Sequence, residues 1–368
     1  MNLKRRLFTL HSWLGLVCGG FILVFFGTGA LMVFREELNE VLHPELFRVE
    51  AKGTRLSYHE LYRRARAAEP AAQFYSFRRV PQAPHEALEI RIYEGQEPGR
   101  LFINPYSGAV LGKSFGSFTD QLIILHSTFL LKELGKLLAG IFALALLGSV
   151  LTGLVVYRKH LLDALRFRNA IRWKNWRTAS SGLHRVLGSW ALLFNVVLAG
   201  SGLWITYDAF KLQKLLSADK EQQVDSLPPV AADLNALIAE AQRLEPGLEL
   251  VRLNFPRKPD APVTVLGRAP GSGWLWGSTS TKIEFANAAG PARVKKAFRE
   301  QDLGPVERLD FALRTLHYGQ YGGLPIKIVY SLLALSSAVI TITGYLLWWR
   351  RRRPAHQRPA AVPRRAVA

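Results

Sequence analysis

The chain has 368 residues, 49% of them apolar, a formal net charge of +20 and a single cysteine, Cys18. One cysteine excludes an intramolecular disulfide and a cysteine-ligated cluster. The charge excludes a nucleic-acid surface, which would mix basic and aromatic residues on one soluble face; here 18 Lys and Arg residues and one acid fall in three stretches that flank apolar runs.

Residues 1–35 read as a basic head, Lys4-Arg5-Arg6, and a first transmembrane helix. Leu14–Phe34 contains no Asp, Glu, Lys or Arg. At about 1.5 Å per residue it is long enough to cross a hydrocarbon layer of ~30 Å. A cleaved signal peptide is the rival reading. Against it, the run is too long, and Phe34-Arg35-Glu36-Glu37-Leu38 continues as helix.

Residues 36–135 turn polar and read as a small α+β unit. Ser57 with Glu60 three residues later marks a helix start. Phe74–Val80, Ala87–Tyr93 and Arg100–Ile103 are strand-like, and Asn104–Gly108 is a turn. The unit ends in an apolar segment around Leu125-His126, suited to lie along the interface.

Residues 136–158 are the second span, with Leu137–Tyr157 uncharged and Lys136 at its entry. Residues 159–183 form a basic loop, and residues 184–207 the third span, with Leu187–Tyr207 uncharged. Residues 208–324 repeat the earlier order: a helix over 232–241, strands at Glu249–Phe255, Val263–Arg268 and Lys282–Phe285, a turn at Asn287–Gly290, and Leu316-His317 near the end. Residues 325–349 are the fourth span, with Ile328–Trp349 uncharged and Lys327 at its entry. A basic tail, 350–368, follows. The basic head, loop and tail share one side, which the positive-inside bias makes the cytoplasm. Trp13, Trp190, Trp204, Trp348 and Trp349 sit near span ends, as interfacial anchors do.

Two shifts relate the halves. By 173 positions His11 falls on His184, Gly15 on Gly188, Gly27 on Gly200 and Gly29 on Gly202. By 191 positions His126 falls on His317, Lys136 on Lys327, Thr152 on Thr343 and Gly153 on Gly344. The chain reads as an internal tandem duplication.

A histidine at the edge of an apolar helix is a natural axial ligand for haem iron. His11 with His184 lie at the cytoplasmic ends of their helices, and His126 with His317 at the outer side, so two haems are expected, one near each membrane face. Gly15 and Gly188, four residues after their histidines, share a helix face with them and would clear space for a flat macrocycle. Ser12, Asn195 and Thr28 are the polar residues expected around the inner pair. Lys136 and Lys327 would either meet haem propionates or snorkel to headgroups. Gly27, Gly29, Gly200 and Gly202 either clear a cofactor or let helices pack. His160 has no partner under the repeat and belongs to the basic flank or substitutes as a cytoplasmic ligand. His43, His59, His85 and His356 have no ligand spacing. No nucleophile with a base, phosphate loop or dinucleotide fingerprint is present.

HSWLGL in the first span, HRVLG in the third, LHSTFLLKELGKLLAG followed by Thr152-Gly153, and LHYGQYGGLPIKIVY followed by Thr343-Gly344 resemble the PepSY-associated transmembrane family. The resemblance runs from about Lys4 to Trp349. It implies an integral membrane fold, a four-helix transmembrane bundle with two α+β PepSY-like periplasmic domains, in the bacterial inner membrane with both termini cytoplasmic. The family includes iron-regulated proteins and ferric-siderophore reductases, such as the ferrioxamine reductase, that carry haem b. Carried over by position, the haem ligands would be His11, His184, His126 and His317. The implied activity is reduction of a periplasmic ferric siderophore or chelate, with electrons from quinol or a cytoplasmic donor. Tyr318, Tyr321, the Gly319–Gly323 run, Phe115 and Phe118 would shape the docking site. Two other readings compete: a membrane anchor whose outer domains bind a peptide, protease or transporter, and a permease. The uncharged spans disfavour the permease.

Overall fold

The computed structural model describes residues 3–166, 168, 171–218 and 227–351. Helix α1 (Leu3–Met32) is followed by the short helices α2 (Arg35–Leu42) and α3 (Pro44–Phe47). Helix α4 (Tyr58–Ala68) precedes strands β1 (Gln73–Arg79), β2 (Leu88–Glu94), β3 (Glu97–Ile103) and β4 (Val110–Phe115). Helix α5 (Phe118–Thr128) turns a corner into α6 (Lys132–Tyr157), and α7 (Leu161–Leu165), α8 (Trp176–Trp190) and α9 (Leu192–Ala218) follow. Helix α10 (Leu234–Leu244) then precedes β5 (Glu249–Asn254), β6 (Val263–Arg268), β7 (Thr281–Phe285) and β8 (Val294–Phe298). Helices α11 (Pro305–Tyr318) and α12 (Gly323–Arg351) complete the described chain.

Four helices are long and apolar enough to cross a membrane: α1, α6, Leu192–Lys211 of α9 and Gly323–Arg350 of α12. Val17, Leu144, Leu193 and Leu332 stand more than half exposed on them. A water-facing helix would carry polar residues there, so the surrounding solvent is lipid. The sequence predicts one helix over 184–207. In the structure, helix begins earlier, at Trp176, where Asn175 and Thr178 form a capping box, and it is interrupted at Ala191 between α8 and α9.

The chain forms two compact units, one of Met1–Gly27, Ile141–Ala199 and Leu333–Ala368, the other of Thr28–Gly140 and Gly200–Leu332. In the first, small residues let helices approach. A methyl at Gly19 would touch Thr341 at 3.4 Å, and one at Gly148 would touch Leu14 at 3.3 Å. The Ser337 hydroxyl donates to the Asn195 side chain at 2.8 Å, pairing two buried polar groups.

The second unit is built on an eight-stranded antiparallel sheet in the order β4-β3-β2-β1-β5-β6-β7-β8. Each polar segment, 36–135 and 208–324, has the expected helix and strands. Ser57 caps α4 by accepting the Glu60 N–H, and Asp233 caps α10. The two segments are not separate sheets, however. β1 and β5 pair antiparallel, Ser76 opposite Asn254 and Phe77 opposite Leu253, so two edges that would be exposed are closed against each other. Phe77, Ile90, Leu101, Leu253, Val265 and Phe285 form one core with Leu61 of α4 and Leu237 of α10. Strand β8 has no counterpart in the sequence reading. Its residues Val294–Ala297 are exposed and two are lysines, as suits an edge strand, so it shows no alternation.

Candidate functional site

The four matched histidines form two facing pairs. In the first unit, the ring centres of His11 on α1 and His184 on α8 are 6.1 Å apart with planes at 83°. His11 Nδ1 lies 2.9 Å from the Ser149 carbonyl oxygen on α6, with the Thr152 hydroxyl at 3.4 Å. His184 Nδ1 lies 2.9 Å from the Ile340 carbonyl oxygen on α12, with the Thr343 hydroxyl at 3.3 Å. A carbonyl only accepts, so Nδ1 carries the proton and Nε2 the lone pair on each neutral ring. Gly153 and Gly344 admit the rings: a methyl there would sit 3.2 Å from His11 Cε1 and 3.1 Å from His184 Cε1.

In the second unit, the ring centres of His126 on α5 and His317 on α11 are 6.4 Å apart at 66°. His126 Nδ1 bonds the Thr28 hydroxyl at 2.8 Å, and His317 Nδ1 bonds the Ser201 hydroxyl at 2.9 Å. Thr28 and Ser201 are equivalent under the 173-residue shift.

Both spacings fit two imidazoles on one metal ion. A ligating nitrogen sits about 2 Å from a metal and the ring centre roughly 1 Å beyond it, so two coaxial rings lie about 6 Å apart. Methyl groups at Gly15, Gly188, Gly27 or Gly200 would meet nothing within 4 Å among the described residues, leaving room for a flat group beside the helices. Gly29 instead faces His126, whose Cε1 would lie 3.5 Å from a methyl there.

Several expected neighbours fall elsewhere. Thr28 belongs to the His126–His317 pair rather than the His11–His184 pair. Asn195 is committed to Ser337, and the groups reaching His11 are Ser149 and Thr152 rather than Ser12. Lys136 pairs with Glu133 at 3.1 Å and Lys327 with Glu37 at 2.6 Å. Tyr321 and Tyr330 join hydroxyls at 3.0 Å, and Tyr330 donates to the Leu316 carbonyl at 2.7 Å, next to His317. Tyr318 and Phe118 are exposed, whereas Phe115 packs over Gly99. The His160 side chain and the tail beyond Arg351 lie outside the described residues.

Ion pairs brace the helices that carry His126 and His317. Arg35, just beyond α1, bonds Asp120 in the first turn of α5 at 2.8 Å, and Arg100 bonds the same carboxylate at 2.9 Å. Burial pushes the Asp120 carboxyl up, but the Ser117 hydroxyl and the Arg100 and Arg35 guanidiniums outweigh it, holding the group below the usual carboxylate range. Toward the other histidine the polarity is reversed. Asp208, 173 positions after Arg35, pairs with Arg314 on α11, which also holds Asp310 at 2.8 Å. Trp204 donates its indole N–H to Asp310 at 2.9 Å.

A family profile described as "PepSY-associated TM region" matches residues 8–351. The chain belongs to this family. The match takes in both histidine pairs, all four spans and the whole sheet of this PepSY-associated transmembrane protein. A search of curated proteins finds none that matches.

Proposed function

We propose that this protein is an inner-membrane di-haem b reductase that passes electrons from the cytoplasmic side to a ferric siderophore or other ferric chelate in the periplasm. The reading rests on the two histidine pairs, with ring centres 6.1 and 6.4 Å apart. Haem held by His11 with His184 and by His126 with His317 would supply one-electron chemistry. The chain's own contribution is to fix each ring. The Ser149 and Ile340 carbonyls set the inner tautomers, and the Thr28 and Ser201 hydroxyls orient the outer rings. Fe(III) in the chelate gains one electron and leaves as Fe(II), which hard oxygen donors hold far less tightly.

The basic head, loop and tail support the direction, with both termini cytoplasmic and the sheet periplasmic. The equivalent bonds made by Thr28 and Ser201, and by the carbonyls of Ser149 and Ile340, support reading the two halves as a tandem duplication. An absorption spectrum of detergent-purified protein before and after dithionite tests the proposal. A Soret band with two haems per chain is expected, and His11→Ala or His126→Ala each removes about half of it. A colourless, fully folded protein overturns the reading and leaves a membrane-anchored binder of a peptide, protease or transporter.

A further inference from the structure

Arginines form a band two rungs wide across the middle of the sheet, on the face opposite α4 and α10. Arg100 on β3 is the direct cross-strand partner of Arg91 on β2, and Arg91 lies opposite Ser76 on β1. Arg78 on β1 reaches Glu89, which alternates with the core residue Ile90 and so shares the face of Arg91. Arg252 on β5 precedes the core residue Leu253 and, like Arg78, lies one residue past the Phe77–Leu253 pair, beside the rung of Arg100, Arg91 and Ser76. Like charges directly opposite one another destabilise a sheet. Glu89 lies 2.5 Å from Arg78 and Asp120 2.9 Å from Arg100, with Glu36 close enough to act on Arg78; Arg35 shares Asp120, so three carboxylates face five guanidiniums. They leave an excess of positive charge. Arg100 has a side chain 7% exposed, and its Nη1 is buried with no acceptor among the described residues. The row is thus anchored at its buried end on Asp120, in the first turn of the helix that carries His126, and opens to the exterior at the exposed Arg252.

We propose that this arginine row is the docking face for an anionic, carboxylate-bearing ferric chelate, held on the side of the sheet where the His126 helix begins. Guanidinium forks match carboxylates in pairs, and a net-negative complex supplies the charge that the row lacks. A cationic hydroxamate complex would be repelled. The redox outcome rests on the reductase reading, but the recognition does not.

Calorimetric titration of the full-length protein in an uncharged detergent tests this with gallium(III) citrate, which cannot be reduced to a divalent ion here, against the cationic gallium(III) complex of desferrioxamine B. The citrate complex is expected to bind at least about tenfold more tightly. Its affinity should fall as the Debye length shrinks from ~30 Å at 0.01 M salt to ~10 Å at 0.1 M. Arg91→Gln with Arg252→Gln should weaken citrate binding by about tenfold with haem content unchanged, whereas the corresponding lysine variants retain most of it. Equal affinity for the two gallium complexes, or unchanged binding in the double glutamine variant, overturns the proposal. Loss of haem with citrate binding intact overturns it too and assigns the row to haem propionates. A colourless protein that still selects gallium citrate removes the reductase reading alone, and a haem-loaded protein that does not select it removes the docking site alone.

Discussion

Asp120 serves two guanidiniums and the cap of its own helix, so its removal is expected to be felt beyond one bond. Asp120→Asn leaves Arg35 and the nearly buried Arg100 without their countercharge. With Asp120 itself 28% exposed, the cost should be about 2–3 kcal/mol, below that of a fully buried pair. The pH dependence has a definite sign. Because the folded-state pKa is depressed, the stabilisation is complete above the unfolded carboxylate value of about 4 and is lost as pH falls through the folded value. Thermal unfolding of wild type and D120N between pH 3 and 6 should show the two melting curves converging as the solution is acidified. A gap that persists at the acid end would count against a charge-based role. The histidines themselves were legible in the sequence, since two repeat shifts singled them out. Their partners were not. Ser149 and Ile340 act through backbone carbonyls, which no side chain announces, and Arg35 and Asp208 occupy equivalent places with opposite charge.

The corner between α5 and α6 is built differently from its counterpart between α11 and α12. In the first half Phe129, Leu130 and Lys132 all take left-handed backbone, with φ of 48°, 64° and 49°. In the second half glycines do so, Gly319 at 63° and Gly323 at 60°. Left-handed backbone costs a residue with a Cβ about 1 kcal/mol that glycine avoids. Leu130 is 59% exposed and gives up little packing, so Leu130→Gly should raise stability by up to about 1 kcal/mol, read as a higher melting temperature in detergent. Gly319→Ala should do the reverse, since the new methyl would crowd the Tyr330 ring at 2.9 Å. At Gly135 a methyl would overlap the Thr128 carbonyl oxygen, so this corner closes only with glycine there. Elements with side-chain signals were readable: Ser57 with Glu60 marked α4, and uncharged runs marked the spans. The corner was not, because three residues without glycine give no sign of positive φ.

The joining of the two polar segments through β1 and β5 makes the sheet a single structural body. Each segment alone showed the alternation of its own strands, but pairing between residues as distant as Phe77 and Leu253 has no local signal. Phe77→Ala, which empties a fully buried site packed on Phe255, should cost roughly 3–5 kcal/mol. Hydrogen exchange should then show loss of protection in β6 and β7 as well as in β1–β3; loss confined to β1–β4 would mean that the segments fold independently. The histidine contacts have a related consequence. Within each half the spans brace the rings: α6 holds His11 of α1 and α1 holds His126 of α5, while α12 holds His184 of α8 and α9 holds His317 of α11. Each half, however, brings a single imidazole to each pair. Any group bridging a pair therefore rivets the halves together, and the affinity for it becomes cohesion between them: at a thousand times its dissociation constant a ligand adds about 4 kcal/mol against separation. Binding of such a group and joining of the halves would be one thermodynamic event, and a chain cut between α7 and α8 would hold together best when its pairs are bridged.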